Sequence, residues 1–218
     1  LSSLPGWDGQ LSITALGLPG TSAIGQTFVA PDAQVLTSLS LFLRADPLSA
    51  DPGRLQLRAY VMAWDGEKAT GPVLHESAIV AGATSASLQR YDFAIPHVPL
   101  VGGRQYVAFL TTLGLWDEMG GGFELGTSNG FGLTIGDAFA GGQFVSHDIG
   151  DGFANDFSRL AIDRWSTHRT RDDLAFEARF APATTTAPEP ASLALLGTGA
   201  LALAGAGALR RRERGTAA

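Results

Sequence analysis

The chain has 218 residues, 21 acidic against 15 basic, a formal net charge of −6 and no cysteine. Four of the basic residues, Arg210, Arg211, Arg212 and Arg214, fall near the C-terminus, so the remainder is more acidic still and has no basic face for nucleic acid. Disulfide frameworks and thiolate metal sites are excluded, and residues 1–181 suffice for one domain with its own core.

The start at Leu1 is what removal of an export signal, or trimming of a longer chain, leaves. From residue 24 to 180 apolar residues recur with period two, the signature of half-buried strands. Leu39, Leu41 and Leu43 alternate with Ser38, Ser40, Phe42 and Arg44. Leu55, Leu57, Ala59, Val61 and Ala63 share one face, with Gln56, Arg58, Tyr60, Met62 and Trp64 on the other. Tyr91, Phe93 and Ile95 alternate, as do Tyr106, Ala108 and Leu110, and a last strand turns Leu174, Phe176, Ala178 and Phe180 inward. Turn formers punctuate these runs at Pro31-Asp32, Asp51-Pro52-Gly53, Asp65-Gly66, Gly71-Pro72 and Gly102-Gly103. No helical period runs through the body. The pattern predicts an all-β body, an antiparallel β-sandwich of jelly-roll type with two sheets packed face to face. Residues 114–158 are rich in glycine, with scattered phenylalanines, and are expected to form long connections at one end of the sandwich.

Several residues are candidates for chemistry. Gly126-Thr127-Ser128-Asn129-Gly130 has the spacing of a nucleophile elbow, but that elbow needs a strand before it and a helix after it. Here no helix follows, and Ser128 is expected in a turn. His75, His97, His147 and His168 lie far apart and lack the paired spacing of a zinc site. Asp148, Asp151, Asn155 and Asp156 cluster on a glycine-bearing stretch and are the candidate ligands for calcium, against a reading as turn-capping residues. Tryptophans offer flat faces for sugars, and Trp64-Asp65 and Trp116-Asp117 each place a carboxylate next to one; these four are the candidate ligand-binding residues. No catalytic residues stand out. A glycan-acting hydrolase, the alternative to a binding protein, would need two carboxylates about 5–10 Å apart across a cleft.

Past the last strand, residues 182–187 form a polar linker. Residues 191–209 then carry no charge, and as a helix of about 1.5 Å per residue they span about 28 Å, close to the hydrocarbon thickness of a bilayer. Pro188 and Pro190 precede or open that helix. The arginines at 210, 211, 212 and 214 stop it and, by the positive-inside rule, stay in the cytoplasm while the body lies across the membrane.

Pro188-Glu189-Pro190, an apolar stretch and a terminal arginine cluster together resemble the PEP-CTERM sorting signal over residues 188–214. The resemblance implies a Gram-negative bacterium that makes exopolysaccharide or biofilm, with export by the general secretory route. It also implies an exosortase as partner, which recognises Pro188, Glu189 and Pro190 and processes the tail. The precursor is then tethered in the inner membrane before it reaches the cell surface or extracellular matrix. The segments at 24–31, 57–66, 71–77 and 105–110 are similar to a jelly-roll module of such proteins, related in shape to carbohydrate-binding domains. The expectation is a non-enzymatic exported protein with a polysaccharide-binding body and no cofactor beyond the candidate calcium.

Overall fold

The computed structural model describes residues 1–18, 20–49, 51–115, 127–148, 155–167 and 172–183. The chain divides into two units, Leu1–Ala183 and Thr184–Ala218. The first is built from strands β1 (Ser12–Leu18), β2 (Thr21–Val29), β3 (Gln34–Ala45), β4 (Gln56–Trp64), β5 (Ala69–Glu76), β6 (Val80–Ala81) and β7 (Gln89–Pro99). These are followed by β8 (Gln105–Thr111), β9 (Thr127–Thr134), β10 (Phe144–Asp148), β11 (Ser166–Thr167), β12 (Asp173–Leu174) and β13 (Phe176–Pro182). One short helix, α1 (Arg159–Ile162), lies between β10 and β11. Among the described residues no helix is long and apolar enough to cross a membrane. The apolar helix expected over 191–209 lies outside them.

The body is all-β, as expected, but its strands join one continuous sheet instead of two. Its main path runs β13-β3-β9-β1-β2-β8-β4-β5, and β7 adds to the far side of β3. β9 makes the join, because it pairs with β3 through Leu43–Phe131 and with β1 through Ile13–Phe131. The sheet curls so that inward side chains from β3, β7 and β13 meet those from β2, β4 and β8 in one core. Leu39, Leu41, Leu43, Phe93 and Phe176 pack there with Phe28, Leu57, Val61 and Leu110. The result is β-sandwich-like, consistent with a jelly roll. The period-two pattern therefore places the inner face correctly on β3, β4, β7, β8 and β13.

Three local expectations change. Gly71 and Pro72 do not make a turn between strands; they lie inside β5, at the end of the sheet path. The β4–β5 register slips between Val61 and Ala63, and Gly71 takes φ of 72° there. An edge strand tolerates a proline and a bulge because its outer backbone has no ladder to maintain. Within the glycine-rich stretch, β9 and β10 are strands where connections were expected. Finally, the outer face of β4 and β8 is covered. Tyr60, Met62, Trp64, Val107 and Phe109 form a second apolar cluster with Leu160 and Trp165. The segment 155–167 holds this cover in place, with Trp165 N–H donating to the Glu67 carbonyl and Arg164 paired with Glu67 at 3.0 Å.

Candidate functional site

The structure places the nominated residues in separate settings. Trp64 ends β4 with only 6% of its surface exposed, and its ring meets Trp165 edge-on at 5.7 Å. It is core, not the open sugar platform expected. The reason is the cover segment, which gives a second buried face to a strand read as half-exposed. Asp65 opens the following turn, its Oδ1 accepting from the amides of Glu67 at 2.8 Å and Lys68 at 2.9 Å. Trp116 and Asp117 lie outside the described residues. Ser128 is in β9 rather than a turn, and its hydroxyl donates to Asp46; β9 continues past it as strand, so no nucleophile elbow forms.

The candidate calcium ligands serve local connections. Asp148 accepts from the Thr21 hydroxyl at 2.9 Å, Asn155 from the Gly114 amide at 2.6 Å, and Asp156 from the Ser158 amide at 2.9 Å, next to α1. Asp151 is outside the described residues, among which no group of three metal-ligating side chains gathers. Of the histidines, His75 is nearly buried on β5, and His97 sits in β7 with φ of 47°; His168 is not described.

His147 stands in an array that sequence reasoning missed. Its Nδ1 lies 2.6 Å from the Ser22 hydroxyl, and its Nε2 faces Asp163 at 3.5 Å. Asp163 is itself held by Arg159 at 2.8 Å. The Ser22 hydroxyl also donates to the His147 carbonyl at 3.1 Å. Serine, histidine and aspartate in a line suggest an activated nucleophile, but accessibility decides the matter. Ser22 is fully buried and His147 is 2% exposed, so no substrate carbon can approach Oγ. The array fastens β2 and β10 to the end of α1. Burial pushes the His147 pKa down, against the opposing pull of Asp163. No signal could have found it, because Ser22 and His147 lie 125 positions apart. A register slip between His147 and Asp148 on β10 brings them together.

A second buried group is Asp173. Its Oδ1 accepts from Gln26 Nε2 at 2.6 Å, and its Oδ2 from the Phe139 amide at 2.8 Å. Burial nevertheless raises its pKa to about 6, with the hydrogen bonds pulling the other way. It ties the 135–143 connection to β2 and is fully buried.

At the described nominated positions the body thus offers buried, hydrogen-bonded locks; the tail carries the sequence motif. Residues 186–212 match the PEP-CTERM protein-sorting motif. The PEP-CTERM match takes in Pro188, Glu189 and Pro190, the apolar run, and Arg210, Arg211 and Arg212, and it stops short of Arg214. These residues lie outside the described ones. A PEP-CTERM motif implies an exported, membrane-anchored precursor that an exosortase handles. No curated protein matches the chain.

Proposed function

We propose that this chain is an exported protein of the cell surface or extracellular matrix, sorted by its tail, whose β body binds exopolysaccharide. The tail match at residues 186–212 carries the sorting part. Pro188, Glu189 and Pro190 are the recognition residues for the exosortase. Residues 191–209 cross the inner membrane as a helix of about 28 Å, at about 1.5 Å per residue. Arg210, Arg211, Arg212 and Arg214 hold the end in the cytoplasm, so the body faces away from it.

The sorting reading is tested in an exporting host that contains an exosortase. Intact mass of the mature protein should show loss of the tail for the native sequence and retention of the tail for Glu189→Ala. Equal processing of both would remove Glu189 from recognition and overturn the reading of the motif.

A further inference from the structure

The geometry points to an anion subsite at Arg44 that takes the carboxylate of an acidic saccharide. The inference deepens the polysaccharide-binding reading above and rests on it. Arg44 lies on β3, where its side chain crosses β9 over Gly130. A Cβ at Gly130 would come within 3.2 Å of Arg44 Nε and 3.3 Å of its Cγ, so the arginine packs closely over the bare glycine. Two residues along the same face, Gly132 does the same for Trp7, whose ring would meet a Cβ at 2.9 Å. Trp7 packs on Phe42 at 4.7 Å and stays half-buried. Arg44 and Trp7 thus lie over two alternate glycines of one strand, Gly130 and Gly132.

Arg44 borders a cavity of about 200 Å³ lined by Gly9, Gln10, Ala86, Ser87 and Leu88. Its Nε is buried without a hydrogen-bond partner, and among the described residues it enters no ion pair. Arg58, Arg90, Arg159, Arg164 and Arg179 each face a carboxylate within 4.0 Å by contrast. The acids nearest Arg44 along the chain and its neighbouring turn are occupied. Asp46 accepts from the Leu48 amide and Ser128, and Asp8 from the amides of Gln10 and Leu11. Arg44 is therefore a cation without a carboxylate partner among the described residues, and it lines a polar cavity.

The chemistry selects the ligand. One guanidinium with neutral donors from Gln10 and Ser87 matches a monoanion, and the planar fork suits a carboxylate. The cavity is smaller than the roughly 300–1,000 Å³ of sites that enclose a whole small molecule. It holds one substituent of a larger ligand, such as the carboxylate of a single sugar residue. A uronate residue within a polysaccharide carries that group.

The test is calorimetric titration of the full chain in detergent, at low salt, with galacturonate and glucuronate trisaccharides and with neutral galactotriose. At least one uronate should bind, and the neutral sugar at least tenfold more weakly. Arg44→Gln should lose tenfold or more and Arg44→Lys less. Ser87→Glu, at an exposed position on the cavity wall, should lose as much as Arg44→Gln by supplying an internal carboxylate, and it guards against misfolding of the arginine variant. Galactotriose binding as tightly as the uronates, or unchanged affinity in both Arg44→Gln and Ser87→Glu, overturns the subsite while leaving polysaccharide binding intact. If none of the sugars binds, the subsite and the binding role of the body both fall; sorting is judged separately by tail processing.

Discussion

Two buried ionisable side chains give the fold opposite responses to acid. The Asp173 pKa is raised from 3.8 to about 6 by burial, so the folded state holds its proton more tightly than the unfolded chain does. Its contribution to stability is fully present below pH 3.8 and is lost as the pH rises through about 6. His147 runs the other way. Burial lowers its pKa from 6.5, so its contribution is present above pH 6.5 and is lost as the pH falls through the depressed value. Urea unfolding across this range should show that Asp173→Asn removes the decline between pH 3.8 and 6. Absolute stability should also drop, because the new amide turns an N–H towards one of the two donors at Gln26 and Phe139. His147→Gln should remove the acid-side loss and leave the Asp173 slope in place. A slope unchanged in Asp173→Asn would mean the carboxyl is not the titrating group. Neither residue announces itself in the sequence. Asp173 follows Asp172 in an ordinary polar stretch, and only the closure of β12 against β9 and β2 buries it.

At the level of elements, strands with one buried face were legible and strands with special neighbours were not. β3 shows Leu39, Leu41 and Leu43 in strict alternation because one face meets the core and the other carries Ser38, Ser40 and Arg44. β9 reads as a loop because Gly130 and Gly132 leave no pattern, and the reason for them lies on other elements. A Cβ on Gly132 would lie 2.8 Å from the Ala175 Cβ and 2.9 Å from the Trp7 ring. Gly132→Ala should therefore destabilise by about 1–3 kcal/mol in denaturant titration, the usual range for overpacking; a neutral or stabilised variant would show that the packing there yields. β4 misled for a different reason, since Trp64 reads as the exposed partner of a buried face until the cover segment is known. Trp165 seals that segment, with its indole N–H donating to the Leu160 carbonyl and its ring against Phe109 at 5.2 Å. Trp165→Ala should cost about 3–5 kcal/mol, as for large-to-small changes in cores, with an unchanged denaturation midpoint as the contrary result.

For the whole molecule, two units meet different demands. The body folds by burying apolar residues within a curled sheet. The sorting motif of the tail was the most legible part of the sequence, because a Pro-Glu-Pro triplet, an uncharged run and terminal arginines coincide at fixed spacing. The anion subsite proposed at Arg44 was least legible, since the tryptophan-aspartate pairs drew attention to Trp64 while Arg44 stood in a strand read only for its leucines. The most direct measurement is fractionation of the chain, exported behind a general-secretory signal, with residues 187–218 present or deleted. The account predicts that the intact chain enters the membrane fraction and is released in shortened form only when an exosortase is present, while the deleted form goes straight to the soluble extracytoplasmic fraction. Identical fractionation of the two forms would contradict it.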